Sequence, residues 1–252
     1  MAGERSPWAG IQDYFTATRR PLYSIIIAVP FFVAYELGMA YLYPDQPPEH
    51  KSRNLAEIIL HAPESAIGRH AAYILPALLG IGLLFFLDWR GRKADRAAAR
   101  PIPFRPAYLG WMLAESVLLA LPLPFLLGEI ASRLAAEDGG GGSFLFSLTS
   151  MCGAGAYEEL LFRLFLFTGL LWLGMALKLE KLPAGILAAV VSAVVFSAFH
   201  FVGPRQFEPV FFTFATAAGV WLAAICYFRS FGMAVATHAI YDIMMLVGAA
   251  VM

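Results

Sequence analysis

The sequence predicts an all-α, polytopic membrane protein: a helical bundle of about seven transmembrane helices, or eight if the fourth is broken. Three observations carry this. First, 60% of the 252 residues are hydrophobic, only 14% are charged, and the mean hydropathy is +0.67. An ordinary soluble domain is about 45–50% apolar and about 25% charged. Second, apolar runs of about 20 residues recur along the chain, the length that crosses a hydrocarbon core of roughly 30 Å. Third, the charges inside those runs are few, and most of them fall in the C-terminal half.

The formal net charge is zero, so nothing points to nucleic acid, whose phosphates demand a basic surface. The two cysteines, Cys152 and Cys226, lie in apolar segments. Each reads as a small core residue rather than half of a disulfide framework. No cleavable signal peptide is evident. The first apolar run starts at Leu22, after Arg19-Arg20-Pro21, and is of span length rather than the 7–15 residues of a signal core.

Residues 1–20 are polar, with Trp8, Tyr14 and Phe15 suited to the headgroup level. Span one covers about 21–43 and contains Pro30 and a lone Glu36. A long polar connection, 44–68, follows, in which Asn54 could cap a short helix through His61. Span two covers about 69–88. After it, Arg90, Arg92, Lys93, Arg96, Arg100 and Arg105 crowd one loop. The positive-inside rule makes that loop, and the N-terminus with it, cytoplasmic. Span three covers about 106–128 and carries Glu115. The acidic, glycine-rich Glu137–Gly142 suits the outer side.

Residues 1–142 thus form an N-terminal membrane region with three spans and a basic cytoplasmic loop, and 143–252 form a second region. Span four lies within 144–177, broken near Gly153 and Gly155 if an eighth span exists. Lys178 and Lys181 follow it. Spans five, six and seven cover about 183–201, 207–228 and 233–251. Small residues, Gly153–Ala156 and Ala188, Ala189, Ser192 and Ala193, suit close helix packing.

Within span four stands Tyr157-Glu158-Glu159-Leu160-Leu161-Phe162-Arg163. A charge at a bilayer centre costs about 2.5–3.5 kcal/mol on insertion scales, so three in six residues need a reason. Glu159 and Arg163 are spaced i, i+4 and can pair on one helix face. Glu158 sits about 100° round the helix and has no partner there. A buried carboxylate takes up a proton or finds a partner elsewhere.

The candidates are His200, at the end of span five, and His238 with Asp242, spaced i, i+4 in span seven. His50, His61 and His70 belong to the outer connection and read as solvated. Ionisable groups on three membrane helices face the bundle interior and mark a site. A carboxylate and an imidazole on one water can deprotonate it for attack on a carbonyl. A second imidazole and a residue one turn away can serve the oxyanion.

Other chemistries stay open at this point. Two histidines plus carboxylates could bind zinc, although no His-Glu-x-x-His pair occurs on one helix. Cys152 could be a nucleophile, but it is off the face of Glu158. Glu36 and Glu115 would support a proton relay if they clustered with the motif.

Glu-Glu-x-x-x-Arg, Phe-x-x-x-His and His-x-x-x-Asp, in that order on separate apolar helices, resemble the CPBP family of CAAX prenyl proteases and bacteriocin-processing (Abi) membrane proteins. The resemblance covers about Phe144 to Val251. It implies a glutamate-dependent intramembrane endopeptidase without metal or other cofactor. Glu158 and His200 would activate the water, His238 and Asp242 would form the oxyanion site, and Glu159 and Arg163 would support the motif helix. The substrate implied is a membrane-anchored protein or peptide within the lipid bilayer. The family's prenyl-protein proteases carry Asn where this chain has Asp242. Many bacterial members resemble this chain there, which implies a bacterial cell membrane. A charged Asp242 cannot donate to an oxyanion, so it either carries a proton or orients His238.

Straight spans would leave His200 near one end of its helix and His238 about 10 Å in from the opposite end. A shared site therefore requires a break or tilt somewhere in spans five to seven.

Overall fold

The computed structural model describes residues 7–42, 80–82, 85–86, 88–93, 103–127, 144–202 and 206–251. These residues are helical apart from short links and contain no strand. Among the described residues, six helices are long and apolar enough to cross a membrane. The expected span two lies mostly outside the described residues. So do the connection with Asn54 and the outer histidines, and the acidic glycine run.

The helix α1, Pro7–Thr18, is short and precedes the first span. The second, α2, runs Pro21–Leu42. Proline at its first position costs nothing, because that N–H has no intrahelical partner. Pro30 is accommodated inside it. The next, α3, runs Ala107–Ala120 and gives way at Leu121 to α4, Pro122–Leu127, where a proline prevents simple continuation. The longest, α5, is Phe144–Ala176. Then come α6, Lys181–Phe199, α7, Pro209–Phe228, and α8, Phe231–Val251.

Four residues join α5 to α6. Leu179 N–H donates to Gly174 O and Lys178 N–H to Met175 O, with Lys178 at φ 66°. This is the Schellman closure, with lysine in the left-handed position that glycine usually takes. The positive side chain suits a helix C-terminus.

The middle of the bundle is α8. It packs against α2, α3, α5 and α7, and Met233, Ala234, Val235, Ala236 and Ala239 are fully buried. Small side chains allow four neighbours to approach one helix. The N- and C-terminal regions share their cores. Ile25, Phe32, Tyr35 and Met39 of α2 pack with Cys152, Tyr157 and Leu160 of α5 and Val235 of α8. Met112 of α3 packs with Leu222 and Met233. Gly219 of α7 meets Ala193 of the expected small-residue seam, where a Cβ would lie 2.9 Å from the alanine's own.

Basic residues gather at one end. Arg19 Nε donates to Phe228 O at 2.8 Å, Tyr227 of the same turn contacts Lys181, and Arg229 follows directly. Arg229 also reaches Glu115 at 2.5 and 2.7 Å, and Tyr14 donates to that carboxylate at 2.6 Å. This network ties α1 and α3 to the end of α7. Burial and the Glu115 carboxylate both push the Tyr14 phenol above its ordinary pKa.

Candidate active site

The site begins with a distortion of α5. Phe144–Gly153 is regular α-helix, Ala154–Glu158 and Leu160–Phe167 are wound as π-helix, and Thr168–Ala176 is α again. The wide turn carries i→i+5 hydrogen bonds, visible where Thr168 N–H reaches Arg163 O. Such turns are rare, and they concentrate at functional sites. The deviation starts beside Gly153 and Gly155, where a break would make room for an eighth span, and the helix continues through it. No eighth span arises there.

The winding changes the geometry expected of the carboxylates. More residues per turn means less than 100° between neighbours. Glu158 and Glu159 therefore fan apart less than in an α-helix, and both address His238. Its Nδ1 lies 2.9 Å from Glu159 Oε1, and its Nε2 lies 3.9 Å from Glu158 Oε2. Asp242, one turn along α8, sits 3.5 Å from the same Nε2. Three carboxylates thus surround one imidazole that is 7% exposed.

Glu159 also pairs with Arg163, Oε2 to Nε at 3.1 Å, as the i, i+4 spacing predicted. Both side chains are fully buried. The guanidinium carbon lies 4.6 Å from the centre of the Phe196 ring, a cation–π contact. Arg163 therefore sits between a carboxylate and an aromatic face. Glu159 does more than brace its own helix: it reaches across to α8 and holds His238.

Phe196 links the remaining histidine to this group. The His200 ring packs edge-on to Phe196 at 4.8 Å, and the His238 ring does so at 6.1 Å. The two imidazoles are no farther apart than those distances combined. Phe196 thus touches both rings, while α6, α7 and α8 each run unbroken. His200 stands at the C-cap of α6, and its Nδ1 is 2.9 Å from Phe196 O. A carbonyl only accepts, so Nδ1 carries the proton, and in the neutral ring Nε2 keeps its lone pair.

Close approach of α5 to α8 depends on Gly155. A Cβ there would fall 2.7 Å from the backbone nitrogen of Ala239, the residue after His238. No side chain fits without moving one of the two helices.

Two lone membrane carboxylates resolve differently. Glu36 accepts a hydrogen bond from Tyr157, the buried residue before Glu158, so α2 reaches the motif. Residue spacing does not join Tyr157 to Glu36, because they lie on separate helices. The available signal was that a carboxylate in a membrane helix needs a donor. Glu115 belongs to the Arg229 network and not to the motif. Cys152 packs in the core with Tyr35 and Tyr157. Both cysteines are free. Among the described residues no three His, Cys, Asp or Glu side chains form a group that could hold a metal ion.

Neither the curated proteins nor the solved structures give a match. The chain is an integral membrane protein whose residues 140–244, which include the whole of this charged cluster, match the family model described as Type II CAAX prenyl endopeptidase Rce1-like, the CAAX protease (CPBP) family.

Proposed function

We propose that the chain is an intramembrane endopeptidase of the glutamate-dependent kind, hydrolysing a peptide bond in a membrane-anchored protein or peptide. The observation that carries this reading is the pair of adjacent carboxylates on a π turn, both directed at one buried imidazole. The family match supports hydrolysis of a peptide bond as the reaction.

In this reading Glu158 is the general base. It takes a proton from a water whose oxygen attacks the scissile carbonyl carbon, and the carbonyl becomes a tetrahedral oxyanion. The C–N bond then breaks, and Glu158 returns the proton to the leaving amine. His200 Nε2 accepts from the same water and fixes its direction of attack. His238 faces carboxylates with both nitrogens, an arrangement suited to a ring that donates from both. Its Nε2–H is the donor for the oxyanion.

Asp242 then orients and balances His238 and need not donate itself, which accommodates aspartate in place of asparagine.

A proton relay is the competing function. Of the two carboxylates it would recruit, Glu36 approaches the motif but Glu115 is held by Arg229 and Tyr14. The relay thus keeps one of the two carboxylates it would recruit, and the family match is what weighs for hydrolysis.

The test is cleavage of lipid-anchored and membrane-spanning reporter peptides by purified protein. Wild type, Glu158→Ala and His200→Ala are compared, each with and without a chelator. Cleavage lost in both variants and indifferent to chelation supports the reading. Loss on chelation that zinc restores moves the assignment to a metalloenzyme. A folded wild type that cleaves nothing but conducts protons through Glu158 supports the relay.

A further inference from the structure

We propose that Glu36 of α2 is a positioning residue for the site: through Tyr157 it fixes the rotation of the π turn, and with it the aim of Glu158 at His238. This role rests on Glu158 as the general base proposed above. Glu36 lies outside residues 140–244, which match the family model, so the N-terminal region contributes to the site.

The need for such a contact comes from the winding. A π turn replaces i→i+4 hydrogen bonds by i→i+5 bonds within an otherwise α-helical segment. The backbone by itself leaves open where the wide turn lies and which way its side chains point, so neighbouring helices must fix both. On one side α8 does this, where Gly155 meets Ala239. On another, α2 does it over residues 32–38. Phe32 and Tyr35 pack edge-on to the ring of Tyr157, at 5.1 and 5.5 Å, and Tyr157 is fully buried. Gly153, where the winding begins, faces the ring of Tyr35, and a Cβ on Gly38 would fall 2.5 Å from Thr149.

Ring and glycine contacts set how closely two helices approach, but they constrain rotation weakly. A hydrogen bond is directional, and the Tyr157 hydroxyl donates one to the Glu36 carboxylate. Tyr157 precedes Glu158 in the same π segment, Ala154–Glu158. Turning its hydroxyl away from Glu36 would carry Glu158 away from His238 Nε2, which lies 3.9 Å from Glu158 Oε2. The geometry calls for an acceptor at position 36. A glutamine carbonyl supplies one as well as a carboxylate does.

The experiment uses the full chain and the reporter peptides, with Glu36→Leu, Glu36→Gln, Tyr157→Phe and the double variant Glu36→Leu with Tyr157→Phe. Glu36→Leu and Tyr157→Phe should each lower kcat about tenfold, with KM changed less than about twofold. The double variant should be no slower than either, because both remove one contact. Glu36→Gln should recover most of the rate lost in Glu36→Leu. A second readout is independent of cleavage: NMR of ¹⁵N-labelled histidine, with the His238 ring assigned by its loss in His238→Gln. Its signals should move in Glu36→Leu and in Tyr157→Phe in the direction that Glu158→Gln moves them. Additive losses in the double variant, or a change in KM alone, overturn the proposal. So does Glu36→Gln as slow as Glu36→Leu, which would make Glu36 a proton carrier. A wild type that cleaves no reporter defeats the protease reading by itself. The His238 signals then still decide the positioning role, and unmoved signals in both variants overturn it.

Discussion

At the residue scale the site is a problem of buried charge. Glu159 lies between Arg163 and His238 with no exposure. Removing one partner of a buried pair leaves the other uncompensated, which costs about 3–5 kcal/mol. Arg163→Ala should therefore lower stability by about that amount, measured by denaturation in detergent. Arg163→Lys should recover only part of it, because an ammonium lacks the planar face that stacks on Phe196. Glu158→Gln is the opposite case. It keeps the shape and removes the base, so cleavage should fall about 10²–10⁴-fold while the unfolding midpoint stays within error. Equal losses of stability in both variants would show that Glu158 is only a structural charge.

At the element scale the important feature is the π winding of α5 against α8. Its close contact at Gly155 leaves no space for a Cβ. Gly155→Ala should push the helices apart beside His238 and disturb the Glu159–His238 contact. A displacement of about 1 Å in a catalytic group can cost about 10²-fold in rate. The expected result is a large fall in kcat with a smaller change in KM, read with the reporter peptides. Unchanged kcat would mean that the winding does not set the position of His238.

The short α1 gives a second test. Its Tyr14 donates to Glu115, and burial with that carboxylate raises the phenol's pKa. The unfolded phenol ionises near pH 10. Above that pH the unfolded state releases a proton that the folded state keeps, so stability falls as pH rises; below it this contribution is constant. Tyr14→Phe should flatten the alkaline loss. An identical alkaline slope in the variant would assign the loss to other groups.

At the scale of the whole molecule, one end of the bundle gathers Arg19, Lys181 and Arg229. His200 and Gln206 lie beyond the other end of α6. The positive-inside rule then predicts that a cysteine at Lys178 reacts with an impermeant reagent only from the cytoplasmic side. A cysteine at Gln206 should react only from the other side. Labelling of both from one side would invert or refute that topology.

Composition and run length determined the membrane class, because a bilayer accepts only segments that are apolar throughout and satisfy their own backbone. Spacing within one helix determined the Glu159–Arg163 pair, since i, i+4 neighbours meet whatever surrounds them. The ordered motifs named the six ionisable residues for the same reason: few other side chains in the spans carry charge. Tertiary structure alone decided how they meet. The π turn depends on hydrogen bonds that no residue spacing announces, and it brings both glutamates to His238. Phe196 of α6 touches both His200 and His238 although α6 is not one of the helices α8 packs against, a matter of where side chains meet across the bundle. The separate fates of Glu36, beside Tyr157, and Glu115, beside Arg229, followed likewise from which helices are neighbours. A chain's local pattern says which groups must find partners in a membrane; only packing says which partners they find.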